Sequence, residues 1–158
     1  MGILNIREAT RAIDSKIVTM IPAALALGAA MQATGGADYL AHFVITGFGD
    51  SGPAVVLSVF FLLTAVMANL ISSKACAVLF TPIAIGIAHQ MGVDPMIFAV
   101  AVVFAANCAF ATPVGYQTSL LVMGPGHYRF GDFVRAGAPL VILLWLTFTL
   151  FAPWYYGL

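Results

Sequence analysis

The apolar pattern of this chain is interrupted twice by short polar stretches. From Ser51 to Val93 the only charged residue is Lys74, which falls in Ser72-Ser73-Lys74 between apolar arms at about 54–71 and 75–91. Two arms of helical length with so short a link predict a helical hairpin over about 54–91. A further apolar run begins at Met96 and breaks at residues 107–119, NCAFATPVGYQTS. There Pro113 and Gly115 interrupt a helical ladder, amid Asn107, Thr112, Gln117 and Thr118. The apolar pattern resumes through Met123 and stops at Gly124-Pro125-Gly126, which predicts a broken helix over about 96–123.

The flanking pattern supplies the rest. Ile6, Ala9, Ile13 and Ile17 fall three or four residues apart among Arg7, Glu8, Arg11, Asp14 and Lys16, as in an interfacial amphipathic helix over residues 1–16. A first span rich in Ala and Gly covers about 17–33 and ends at Thr34-Gly35-Gly36. A weaker amphipathic stretch at 39–48 leads to the turn Gly49-Asp50-Ser51-Gly52-Pro53. After a charged loop at 127–135, a last span runs about 138–153, and Trp154, Tyr155 and Tyr156 form an interfacial aromatic anchor. Residues 17–158 thus read as one transmembrane domain.

Composition agrees with the pattern. Of the 158 residues 62% are hydrophobic and 8% charged, against about a quarter charged in soluble domains. The chain is therefore expected to be an all-α polytopic membrane protein embedded in lipid. Six basic and six acidic residues balance, so nothing points to nucleic acid or to a polybasic lipid-binding surface. The N-terminal stretch is too charged for a signal peptide and carries no myristoylation motif, so no cleavage is expected. Cys76 and Cys108 lie in apolar segments at no metal or redox spacing and read as packing residues. His42 and His89 read as interfacial, and His127 carries no specific signal. No paired carboxylates or serine–histidine–acid set falls within the spans, so the chain is not expected to be an enzyme. No cofactor is expected either.

Arg7, Arg11 and Lys16 flank the first span and Arg129 and Arg135 the last, while Asp38, Asp50 and Asp94 fall in the opposite loops. This places the N-terminus in the cytoplasm and the C-terminus outside. The count holds whether the two arms cross completely or form a re-entrant hairpin.

Interrupted helices put positive helix N-termini and unwound carbonyls inside the bilayer, where they serve anionic groups and coupling cations. Ser72 or Ser73 can cap the second arm, which leaves Lys74 in a first turn whose dipole disfavours a cation. A bound anion would relieve that conflict, and an intramembrane lysine is a functional-site candidate by default. The plainer alternative is two full spans joined by a cytoplasmic turn, with Lys74 marking topology. The second Pro-containing break at 107–119 favours a site, although Pro82 taken alone reads as a kink.

At these breaks the chain resembles the divalent anion:sodium symporters, which include sodium/sulfate and sodium/dicarboxylate carriers. It is most similar to their bacterial TrkA-C-containing branch. The resemblance is carried by FAANCAFATPVGYQTSLLVMGPGHYRFGDFVRAGAPL (104–140) and by ISSKACAVLFTPIAIGIA (71–88), which looks like the family's second re-entrant hairpin. It extends over the whole chain but matches only the C-terminal of two inverted repeats. The resemblance implies an elevator-type transporter whose hairpin tip carries Ser-Asn-Thr. Ser72 matches the Ser, Ser73 stands for Asn, and Lys74 stands for Thr. In the second break Gly115, Tyr116, Gln117, Thr118 and Ser119 occupy a loop where many members have Pro-Pro-Asn, so Ser119 replaces a second amide.

On that resemblance the substrate-binding candidates are Ser72, Ser73, Lys74, Thr112, Pro113, Gln117, Thr118 and Ser119. The residues left to hold sodium, with those two amides replaced, are Ser72, Ser73, Gly115 and Asn107. The expected function is cation-coupled transport of sulfate or a dicarboxylate across the inner membrane, with Lys74 supplying positive charge at the tip. The chain is expected to need an N-terminal repeat or a second copy of itself. The competing expectation is a small structural or regulatory membrane protein, or an inactive transporter fragment, in which Lys74 is solvated and the second break is packed shut.

Overall fold

The computed structural model describes residues 22, 26, 29–30, 33–48 and 52–158. The amphipathic stretch expected at 1–16, most of the span at 17–33, and Gly49, Asp50 and Ser51 of the expected turn lie outside the described residues. Among these, the helices from Gly36 onward are α1 (Gly36–Phe48), α2 (Pro53–Leu70), α3 (Ser73–Met91), α4 (Pro95–Ala106), α5 (Gln117–Met123) and α6 (Phe130–Tyr156). Helices α2, α3 and α6 are each long and apolar enough to cross a membrane. The protein is an all-α, multi-pass membrane protein.

Local chemistry explains the boundaries. Pro53 occupies the first turn of α2, where its missing N–H is no loss. Helix α3 closes at Gly92, whose φ of 68° is left-handed, with Gly92 N–H donating to His89 O at 3.3 Å and Val93 N–H to Ala88 O at 3.0 Å. Asp94 then caps α4, its Oδ1 accepting from Met96 N–H at 2.9 Å, and Pro95 follows as a first-turn residue. The chain therefore reverses between α3 and α4 within three residues.

Helix α2 is the hub and packs against α1, α3, α4 and α6. Its Phe60 ring lies 6.0 Å from that of Phe80 on α3 and 6.1 Å from that of Phe98 on α4. Phe61 stacks at 4.6 Å on Phe148 of α6. These aromatic pairs tie four helices through adjacent residues, each pair adding about 0.5–1.5 kcal/mol beyond its buried area. Because α2 meets neighbours on several sides, its apolar residues run nearly all round rather than in one stripe. Two polar contacts register α6 on it: Ser58 Oγ and Thr149 Oγ1 are 2.7 Å apart, and Trp145 Nε1–H donates to Ser58 O at 3.0 Å.

The arms and the broken helix lie where the pattern puts them, but the last span does not. Residues 130–135, expected in a charged loop, form the first turns of α6. The Asp132 carboxylate accepts from Arg129 N–H at 2.7 Å, so the acidic residue that ends the hydropathy signal starts the helix. Hydropathy marks where a helix leaves apolar surroundings, not where it ends. Much of α6 presents apolar side chains outward, with Leu150 and Trp154 each 77% exposed. Such a surface suits hydrocarbon rather than water.

Helix α6 also crosses closely over the second break. A Cβ at Gly137 would lie 2.5 Å from both Phe110 O and Ala111 Cα, whereas one at Gly131 meets nothing within 4 Å. Gly137→Ala should therefore destabilise the protein by about 1–3 kcal/mol, the range for overpacking. Gly131→Ala should be neutral or stabilising by up to about 1 kcal/mol. Thermal melts of the two variants in one detergent compare them directly, and equal melting temperatures would contradict this contact.

Candidate functional site

Three helix ends meet at one place: the C-terminus of α2, the N-terminus of α3 and the C-terminus of α4. A helix end leaves up to four backbone groups without intrahelical partners, and apolar surroundings supply no water to pair them. Here each end is capped by another element. Ser73 Oγ–H donates to Ala106 O at 2.7 Å, closing α4, and Ser73 N–H donates to Gly115 O at 3.2 Å. Thr112 Oγ1–H donates to Asn69 O, closing α2, and accepts from Gly115 N–H at 3.2 Å. Ser72 Oγ accepts from Ala75 N–H at 3.2 Å and is the cap of α3.

Asn69 binds these ends together. It is 7% exposed, one turn before the hairpin tip. Its Nδ2 donates to Ala65 O at 2.8 Å and to Cys108 O at 2.9 Å, while Oδ1 accepts from Ala111 N–H at 2.8 Å and Thr112 N–H at 3.2 Å. Those four bonds use the whole capacity of an amide side chain. Gly115 completes the approach, since a Cβ there would lie 3.0 Å from Ala68 O and 3.1 Å from Asn69 Cα. Only glycine lets the unwound strand lie this close to the first arm without displacing backbone.

The two breaks consequently share one cavity of about 380 Å³. Ser72, Ser73 and Lys74 line it from the tip, and Pro113, Gly115, Tyr116, Gln117 and Thr118 from the unwound strand and the start of α5. Three residues singled out in the sequence fall elsewhere. Thr112 lies behind the strand, against Asn69. Ser119 is not among the lining residues, and its N–H donates to Tyr116 O at 3.1 Å. Asn107 donates to Val103 O at 2.7 Å and lines a separate, mostly apolar cavity between α4 and α6 with Phe104, Phe148 and Phe151. Asn69 was not among the candidates, although a lone amide inside an apolar arm is itself a signal, because a buried amide must find partners.

The hydrogen bonding decides what each hydroxyl can offer. Ser73 and Thr112 spend their hydrogens on carbonyls and present only lone pairs, which suit a cation and not an anion. Ser72 is held as an acceptor, which leaves its hydrogen for a ligand. Lys74 is exposed at the cavity, and the first turn of α3 holds no acidic residue. Among the described residues no group of three His, Cys, Asp or Glu could hold a metal ion.

Comparison with known proteins places this arrangement in context. A family model described as citrate transporter, CitMHS, matches residues 1–157. An uncharacterized transporter of Synechocystis is 37% identical over 99% of this chain and 26% of its own length. The uncharacterized transporter YfbS of Escherichia coli is 44% identical over 81% of this chain and 20% of its own length. A protein named sodium/sulfate cotransporter 1, from Chlamydomonas reinhardtii, is 30% identical over 90% of this chain and 16% of its own length. The chain thus spans about a quarter or less of these curated relatives.

The reciprocal caps predict unequal effects at one position. Thr112→Val keeps the shape but removes the hydroxyl, leaving Asn69 O and Gly115 N–H unpaired, and should cost about 1–3 kcal/mol of stability. Thr112→Ser keeps the hydroxyl and should lose distinctly less. Denaturation of both variants checks this, and equal losses would show that the hydroxyl bonds do not matter.

Proposed function

Because the chain belongs to the CitMHS citrate transporter family, we propose that it forms one half of a secondary carrier for a multivalent anion: sulfate, a dicarboxylate or a tricarboxylate. The family is one of transporters rather than enzymes. The observation that carries the reading is the single cavity lined by both the hairpin tip and the unwound strand. Its volume of about 380 Å³ lies within the roughly 300–1,000 Å³ typical of small-molecule sites.

The donors suit an anion. The Lys74 ammonium, the Ser72 hydroxyl, the Gln117 amide and the Thr118 hydroxyl all line the cavity and have hydrogens to give. Lys74 sits in the first turn of α3, where the helix dipole opposes its charge by about 0.3–1 kcal/mol, and a bound anion reverses that opposition. A coupling cation would instead use the lone pairs of Ser72 and Ser73 and the Gly115 carbonyl. Relatives named sodium/sulfate cotransporters favour sodium in that role. The placement of Asn107 on another cavity, and the absence of amides at positions 73 and 119, weaken such a cation site and leave more of the charge balance to Lys74.

Depth also favours a protected site. Twelve-residue α4 and seven-residue α5 rise only about 18 Å and 10 Å, each short of a hydrocarbon core of about 30 Å. If they form one interrupted crossing, the unwound strand lies within the bilayer, and the docked hairpin tip lies there with it as a re-entrant loop. The distribution of Arg and Lys supports a cytoplasmic N-terminus and an external C-terminus. A second, inverted repeat would complete the site and supply the partner against which an elevator-like movement occurs.

In the complete transporter, where a second repeat would cover the now exposed Lys74, Lys74→Ala should weaken sulfate or citrate binding by about 2–5 kcal/mol, the range for removing one partner of a buried charge pair. Lys74→Thr combined with Ser73→Asn, both at the cavity, should recover affinity, and do so mainly in the presence of sodium. Titrations of the wild type, Lys74→Ala and the double variant, each with and without sodium, measure this. Affinities indifferent to all of these changes would reduce Lys74 to a topological marker.

A further inference from the structure

The amide that joins the two breaks does not line the cavity. Asn69 lies three residues before Ser72, the first lining residue of the tip, and its Oδ1 accepts from Ala111 and Thr112, immediately before Pro113, the first lining residue of the strand. Its main-chain carbonyl accepts from Thr112 Oγ1, and its Nδ2 reaches across to Cys108 O. Both walls of the cavity therefore hang from one buried side chain within about one helical turn of each.

We propose that Asn69 is a positioning residue, which locks the hairpin tip and the unwound strand into a single rigid unit so that the two walls of the site keep one geometry. Its role rests on the anion-site reading for its purpose, but not for its mechanics. Three features support the mechanics. Every hydrogen-bonding position of the side chain is used, so the amide has one orientation and cannot rotate without breaking bonds on both sides. The alternative to these bonds in an apolar environment is unpaired backbone N–H and C=O, whose desolvation is not repaid, so separating the two elements is steeply unfavourable. Gly115 runs so close to Ala68 and Asn69 that a Cβ there would lie 3.0 Å from Ala68 O and 3.1 Å from Asn69 Cα, so the two segments sit at a separation that a larger residue would widen. The unit can move as a whole, but the tip does not open away from the strand.

Two variants separate positioning from general stability. Asn69→Asp keeps an acceptor for Ala111 and Thr112 N–H but loses the two donors to Ala65 O and Cys108 O, whereas Asn69→Leu keeps the volume and offers nothing. The readout is amide hydrogen exchange of the chain in lipid nanodiscs, followed at Ala111 and Thr112 and, as controls, at Leu57 and Ile87 in the core. Asn69→Leu should accelerate exchange at Ala111 and Thr112 by tenfold or more with the controls unchanged, and Asn69→Asp, which keeps the acceptor but not the donors, should restore part of the protection. Unchanged exchange at Ala111 and Thr112, or an equal rise at all four positions in both variants, would overturn the proposal. In the complete transporter, Asn69→Leu should weaken sulfate or citrate binding about tenfold or more, and an unchanged affinity alongside loosened exchange would remove its role in the site. If the wild type binds neither anion, the functional reading fails, while the exchange pattern still decides whether Asn69 joins the two elements.

Discussion

The structure depends on the need to pair backbone polar groups where three helices end among apolar side chains. A continuous helix satisfies its own ladder, and a broken one does not. In this chain the groups freed by the hairpin tip and by the break after α4 are satisfied by each other: Ser73 serves Ala106, Thr112 serves Asn69, and the Asn69 side chain serves Cys108, Ala111 and Thr112. Neither break is self-sufficient. The hairpin and the broken helix must dock, and docking leaves a cavity beside the joint whose mixed wall carries several polar side chains.

This economy separates residues that build the site from residues that face it. Serine, threonine and asparagine at a break look alike in a sequence, since all are small polar groups near Pro and Gly. The hydrogen bonds sort them. Ser73, Thr112 and Asn69 are consumed in holding backbone, and Ser72, Lys74, Gln117 and Thr118 remain at the cavity with hydrogens to give. A site that binds an anion needs donors that are held in place but not already committed, and here the committed residues hold the uncommitted ones.

The remainder of the fold supports that joint from outside. Aromatic pairs from Phe60 and Phe61 bring α3, α4 and α6 onto α2, and Gly137 lets α6 lie directly on the backbone at Phe110 and Ala111. The outward face of α6 stays apolar and exposed. Such a surface suits apolar surroundings rather than water.

Much of this was legible in the residues alone. Hydropathy and the punctuation by Ser72-Ser73-Lys74 and by Pro113 and Gly115 located both arms and the broken helix, because helix length and breaker chemistry are local properties. The start of α6 was misjudged, since a charged first turn ends an apolar run without ending a helix, and the Asp132 cap is visible only as a bond. The division of labour at the site was not legible either. Ser73 and Thr112 carried the composition of ligand residues, Asn107 that of a site residue, and Asn69 passed as a minor interruption of an apolar arm. Which hydroxyl has a hydrogen to spare, and which amide lies between two elements, depends on partners between 33 and 43 positions away. The sequence by itself determined that two polar breaks exist and that each leaves backbone unpaired. Only the tertiary structure decided that they pair with each other, because a hydrogen bond between distant segments depends on how whole helices pack and not on any local preference.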